Sequence, residues 1–219
     1  MSKRHFHISI VPVTFFDQNC MLVWCTQTMK GAVIDPGGDV PLIEEAIAKT
    51  EATFEKILLT HGHIDHAGGA QLLSERLECP VIGPHEDDQP LMDELAAQGL
   101  EFGLDDAQAV VPNQYLSEGD EITIGNLKFE VRHIPGHTPG HVIFVNHADG
   151  FTLSGDTIFQ NSVGRTDFPY SDTDALFTAI NEKMLTLPDE MLLLPGHGPA
   201  TTIGQERKSN PFLQQVKEA

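Results

Sequence analysis

The sequence predicts an α+β protein in which two β-sheets pack face to face with helices outside them. Three observations carry this. Short runs rich in Val, Ile, Leu and Phe recur along the chain, bounded by Gly, Pro, Asn or Asp, as strands are. Within each half, strands come first and a mixture of strands and helices follows, unlike the regular alternation of a doubly wound parallel sheet. The length of 219 residues suits one large domain, 1–219, built from two similar halves of about 1–110 and 111–219.

In the first half the strand-like runs are HFHISIVPV (5–13), CMLVWCT (20–26), GAVIDP (31–36), EKILLT (55–60) and PVIG (80–83). The second half has EITIG (121–125), LKFEVRHIP (127–135), HVIFVNH (141–147), FTLSG (151–155) and EMLLLPG (190–196). Gly125-Asn126 between two of these runs reads as a hairpin turn. Helical spacing appears at Val40, Ile43 and Ile47, with Asp39 as the expected N-cap. A second helix is expected at about Gly69 to Leu77. A third starts at Ser171 with Asp174 three residues on, and turns Leu176, Phe177, Ile180 and Met184 inward. The acidic, partly helical stretch 85–108 is read as a solvated surface excursion in preference to a lid.

Composition narrows the function. A formal charge of −19 would repel a phosphate backbone or an anionic membrane surface, so no nucleic-acid or membrane partner is expected. No apolar run approaches the ~20 residues of a membrane helix. The start MSKRHFHISI lacks a signal-length apolar region, so a cytoplasmic location is the expectation, and the oligomeric state stays open, a monomer being compatible with the sequence. Cys20, Cys25 and Cys79 form no C-x-x-C pair and read as small core residues.

The chemistry is concentrated in THGHIDH (60–66), where His61, His63, Asp65 and His66 follow the apolar ILLT. The arrangement recurs: His137, Asp156 and His197 each come just past an apolar run with a glycine close by. Rigid strand ends meeting on one rim would gather these distant residues, and glycines would let the backbones approach. Six terminal ligands and one bridging carboxylate are enough for two ions, and imidazole with carboxylate suits Zn or Fe. His141 competes with His137 in PGHTPGH. His133 is read as a satisfied core or supporting group; His5, His7, His85 and His147 are read as surface residues.

THGHIDH (60–66), PGHTPGH (135–141), LSGDTIF (153–159), LPGHGP (194–199) and DPGG (35–38) together resemble the metallo-β-lactamase superfamily. The likeness is strongest to its glyoxalase II-like branch, in a short bacterial form lacking the C-terminal helical domain. That resemblance implies an αβ/βα four-layer sandwich with the site at the rim between two sheets. It implies that His61, His63 and His137 hold a first metal, that Asp65, His66 and His197 hold a second, and that Asp156 bridges them. It also favours His137 over His141.

The expected activity is hydrolysis of a small-molecule thioester derived from glutathione, S-D-lactoylglutathione to D-lactate and glutathione. Two divalent ions, Zn first and Fe or Mn as alternatives, would supply hydroxide at neutral pH. Asp65 would orient that nucleophile or accept its proton, and Arg165 is the first candidate for a substrate carboxylate, ahead of Arg207 and Lys208. VGRTDF (163–168) is also similar to a segment of persulfide dioxygenases, which implies a rival reading with one iron on His61, His137 and Asp156.

Overall fold

In a computed structural model, which describes residues 5–215, the chain forms two large sheets lined by helices. The first sheet has the order β1 (Phe6–Val13), β2 (Gln18–Cys25), β3 (Lys30–Ile34), β4 (Thr53–Leu58) and β5 (Val81–Ile82). Helices α1 (Val40–Ala48), α2 (Ile64–Ala67), α3 (Ala70–Leu77), α4 (Gln89–Asp93) and α5 (Leu95–Phe102) belong to this half. The second half adds β6 (Glu121–Ile124), β7 (Leu127–His133), β8 (Val142–Asn146) and β9 (Phe151–Gly155). A small ribbon follows, β10 (Ile158–Phe159) with β11 (Ser162–Val163), then α6 (Thr173–Ala179), which continues as a wider π-type turn at Ile180–Met184. β12 (Leu192–Pro195), β13 (Thr201–Thr202), α7 (Ile203–Ser209) and α8 (Pro211–Gln215) complete the described residues, and the second sheet runs β13-β12-β9-β8-β7-β6.

Residue alternation explains the layering. In β2, Cys20 and Leu22 join a core shared with the helices of the first half, while Met21, Val23 and Cys25 join the core between the sheets. In β8, Val142 and Phe144 face that same inter-sheet core, and Ile143 and Val145 face the second-half helices. Strands buried on both faces read as continuous apolar runs, which is why CMLVWC and HVIFV stood out in the sequence. Phe129, Phe144 and Phe151 are fully enclosed, and truncating one to Ala would cost about 3–5 kcal/mol.

Each half also contains a parallel pair joined across a helix. β3 pairs with β4 through α1, and β9 pairs with β12 across the connection that contains α6. The Gly125-Asn126 turn is a two-residue hairpin, with Ile124 opposite Leu127 and Gly125 at φ 56°. The three cysteines are buried and unbridged.

Local expectations need three corrections. Asp39 stands before α1 but makes no cap within it; its carboxylate accepts from the Thr14 N–H, and Asp106 accepts from the Val40 N–H instead. The cap of α6 is Asp172, which accepts from the Ala175 N–H, because Ser171 spends its hydroxyl on the His137 carbonyl. The 85–108 stretch is no solvated excursion: Met92 and Leu95 are buried in the first core, and Asp88 is fully enclosed.

Candidate metal centre

Four strand ends deliver the predicted residues to one rim. After β4 the chain enters His61, His63 and the single turn of α2, which carries Asp65 and His66. His137 follows β7, Asp156 immediately follows β9, and His197 lies two residues past β12. The close approach needs glycine at two places. A Cβ on Gly196 would come within 2.3 Å of Asp156 Oδ1, and one on Gly37 within 1.5 Å of the Asp65 carbonyl.

The side chains fall into two triads. His61, His63 and His137 each place a ligand atom within 4.8 Å of the others, and Asp65, His66 and His197 do the same. Asp156 stands between them, with Oδ1 3.3 Å from His66 Nε2 and Oδ2 3.7 Å from both His137 Nε2 and His197 Nε2. His197 Nε2 is 3.0 Å from Asp65 Oδ2.

The other nitrogen of most rings is committed, which fixes its tautomer. His137 Nδ1 donates to the Arg165 carbonyl at 2.7 Å, and His66 Nδ1 donates to Asp35 Oδ2 at 2.9 Å. Thr60 has one hydroxyl proton and gives it to Asp35 Oδ2 at 2.7 Å, so it accepts from His61 Nδ1 at 3.0 Å. His61 and His137 therefore present a bare Nε2 to the centre. Against burial, Asp156, Asp65 and Asp35 hold His66 well above the usual histidine range, so its Nε2 gives up a proton before it can serve as a ligand. His141 uses its Nε2 to accept from the Asp156 N–H, so it supports the bridging residue and does not face the cluster as a rival ligand.

Burial and charge act on these groups in opposite senses. Burial, reinforced by neighbouring imidazoles, holds His61 well below the usual histidine range and brings His63 down to about 3. Burial pushes the carboxyl of Asp156 upward, but His66, His137 and His197 outweigh it and hold it well below the carboxylate range. Two carboxylates facing each other in an enclosed place require positive charge nearby. Within the described residues, His66 Nε2, His137 Nε2 and Asp156 Oδ1 are buried without a hydrogen-bond partner. Buried polar atoms are seldom left so, and His66 Nε2 stands 3.3 Å from Asp156 Oδ1 without a hydrogen bond between them. A divalent cation answers both demands, and imidazole with carboxylate is a donor set that suits zinc, iron or manganese.

The centre opens into a cavity of about 740 Å³. Phe16, Leu91, Phe102, Phe159, Phe168 and Tyr170 give it an apolar lining. Arg165 also lines it, with its guanidinium paired through Nε and Nη2 with Asp167 at 2.9 Å and lying 4.8 Å from the Phe168 ring centroid. Arg207 is a tie within its own half, donating to the carbonyls of Leu185 and Leu187 and pairing with Asp189. Neither Arg207 nor Lys208 lines the cavity.

Sequence reasoning passed over five supporting residues. Asp35 and Thr60 sit inside DPGG and THGHIDH, where nothing local sets them apart from their neighbours. Asp88 accepts from the Gly62 N–H, the Thr138 hydroxyl and the Gly140 N–H, bracing two ligand loops at once. His141 was weighed only as a ligand. Tyr170, whose hydroxyl lies 2.8 Å from His63 Nε2, carries no sequence signal at all. His85, read as a surface residue, is half-buried against His133.

Comparison with known proteins agrees with this geometry. The description "Metallo-beta-lactamase superfamily" matches residues 13–197. Hydroxyacylglutathione hydrolase GloC of Haemophilus influenzae is 41% identical over 208 residues, covering 94% of this chain and 98% of that protein. The crystal structure of the B3 metallo-beta-lactamase BLEG-1 superposes with a TM-score of 0.86 at 32% identity, covering 94% of this chain and 99% of that one. That of TTHA1623, determined in a di-iron-bound form, gives 0.85 at 37% identity, covering 94% and 100%. Among the described residues no helix is long and apolar enough to cross a membrane. With the match spanning most of its length, the chain belongs to the metallo-beta-lactamase superfamily and is one of its metallo-hydrolases.

Proposed function

We propose that this protein is a hydroxyacylglutathione hydrolase of the glyoxalase II type, cleaving S-D-lactoylglutathione to D-lactate and glutathione. The observation that carries the reading is the pair of triads sharing Asp156, with buried nitrogens and a carboxylate oxygen that lack hydrogen-bond partners. Full-length similarity to GloC supports the thioester substrate. His61, His63 and His137 would hold one divalent ion, Asp65, His66 and His197 the other, and Asp156 would serve both. Zinc is the first expectation, with iron or manganese suiting the same donors. The chain would work as one unit, its halves (about 1–110 and 111–219) meeting at this rim.

Ions held there would supply water ionised near neutral pH and polarisation of the thioester carbonyl. The remaining chemistry falls to the chain. Asp65 would orient the nucleophile or accept its proton, and the leaving sulfur would depart as thiolate without a strong acid. Arg165 would meet a glutathione carboxylate through Nη1, which lies outside its Asp167 pair, or by exchanging that partner, so Arg165→Ala should raise KM and leave kcat nearly unchanged.

A mononuclear persulfide dioxygenase on His61, His137 and Asp156 would leave the convergent Asp65, His66 and His197 without a use. Elemental analysis of protein purified without added metal, followed by two assays, separates the readings. About two divalent ions per chain and turnover of S-D-lactoylglutathione are expected. One iron per chain with oxygen uptake on glutathione persulfide, and no thioester turnover, would overturn the hydrolase.

A further inference from the structure

His63 differs from the other rings of its triad in what sits behind it. His61 and His137 have acceptors on their outer nitrogens, a threonine hydroxyl whose proton is already spent and a backbone carbonyl. Both rings are thereby locked with Nε2 bare. His63 presents Nδ1 inward, 3.1 Å from His61 Nε2, and turns Nε2 outward to the Tyr170 hydroxyl at 2.8 Å. A hydroxyl, unlike a carbonyl, can both donate and accept.

The inner contact fixes the proton in the metal-free protein. His61 Nε2 is bare, so the 3.1 Å contact is a hydrogen bond only if His63 Nδ1 donates to it. The neutral ring then has a bare Nε2, to which Tyr170 donates. A ligand nitrogen must be unprotonated, so Nδ1 has to lose its proton before it can hold an ion. The ring stays neutral if Nε2 gains one, and the hydroxyl then turns to accept from Nε2–H. One proton leaves Nδ1 and one arrives at Nε2, exchanged with water in the open cavity.

We propose that Tyr170 is a positioning residue whose hydroxyl serves both tautomers of His63, donating before an ion binds and accepting afterwards. The ring is held in place for this role. Tyr170 stacks on Phe168 with centroids 5.4 Å apart and 9° between planes, and Phe168 in turn lies 5.1 Å from His63. Removing the hydroxyl alone leaves that stack intact. It would also leave the bound His63 without an outer acceptor, a loss that in metal sites typically weakens affinity by 10–100-fold.

The proposal rests on the metal reading of the site and is tested apart from turnover. Zinc affinity is measured by chelator competition on wild type and Tyr170→Phe, and the imidazole ¹⁵N spectrum of His63 is recorded without zinc and with it. Expected are a 10–100-fold weaker affinity in the variant and, in wild type, a change from Nδ1–H to Nε2–H on loading. Equal affinities would overturn the role of Tyr170, as would a His63 already protonated on Nε2 without metal. A tyrosine that only walls the cavity would change KM and leave zinc affinity alone. Should Tyr170→Phe fold poorly, the wild-type spectra decide by themselves. A wild type that takes up no zinc would overturn the metal reading and this proposal with it, whereas tight wild-type binding matched by the variant overturns only this one.

Discussion

At the rim, His61, His63 and His137 meet edge to face, with centroids 4.6 to 5.0 Å apart and ring planes 70° to 88° from parallel. Beside β7, His85 and His133 stack at 4.3 Å with only 12° between their planes, and Asp87 lies 3.2 Å from His85. Both groups crowd histidines around an aspartate, and in both the ligand atoms fall within 4.8 Å. The lone pair of an imidazole nitrogen lies in the ring plane. Nearly perpendicular rings can aim lone pairs at one point, whereas stacked rings keep theirs in separate, nearly parallel planes. Proximity is common to the two groups; convergence belongs to the first.

Convergence is imposed from behind, by acceptors that decide which nitrogen is bare, and the strongest test removes what the converging atoms share. Asp156→Ala takes away the carboxylate facing both triads. Thioester turnover should fall about 10³-fold or more, since several kcal/mol of charge stabilisation depends on bound metal, and metal content by elemental analysis should fall below the wild-type ratio. Wild-type metal content in a folded Asp156→Ala would show that the triads do not depend on the residue between them.

Asp35→Asn comes next. Asp35 Oδ1 accepts from the Thr60 N–H, and Oδ2 accepts from the Thr60 hydroxyl and His66 Nδ1. An amide nitrogen at either position would face a donor with another donor. Metal affinity should drop by about 10–100-fold, as for other groups that orient a ligand from behind, while the fold survives. Unchanged affinity would mean that the rings converge without help.

This second layer is also where the sequence fell silent. His61, His63, Asp65, His66, His137, Asp156 and His197 were legible because strand ends and nearby glycines mark them locally. The four-layer fold was legible because β2 and β8 are apolar on both faces, a property of each strand alone. Asp88 acts across 26 residues to Gly62 and 52 to Gly140, and Tyr170 acts across 107 residues to His63. No periodicity or spacing records such contacts, since they exist only once the halves have packed. The 85–108 stretch was misjudged for the same reason. Its charge suggested solvent, but Asp88, Met92 and Leu95 turn inward on partners far away in sequence.

Asp88 offers a milder test, in stability. Burial lifts its carboxyl to about 6, although the bonds from Thr138, Gly140 and Gly62 pull the other way. The folded state therefore binds more protons than the unfolded one between about pH 4 and 6, so the contribution of Asp88 is present below that window and is lost as pH rises through it. Asp88→Asn cannot titrate and places an amide nitrogen against the Gly62 or Gly140 N–H. It should lose about 1–3 kcal/mol, and its deficit relative to wild type should be larger at pH 4 than at pH 7 in denaturant unfolding. A deficit that grows with pH would show that the carboxyl is not raised.

The smallest effect should come from the stacked group, and that is what gives it value as a control. His133 spends Nε2 on the Pro139 carbonyl at 2.8 Å, an arrangement that could equally stand behind a metal ligand. Orientation argues otherwise, because its remaining lone pair lies in a plane nearly parallel to the His85 ring and 4.3 Å separates the ring centroids. His85→Ala should keep the wild-type metal ratio and hold turnover within about twofold, roughly 0.4 kcal/mol in the barrier. Loss of one ion equivalent in His85→Ala would break the comparison, since parallel rings would then be holding metal. Retention would show that three ligand atoms within reach are not enough, and that the partner behind each ring decides which cluster holds an ion.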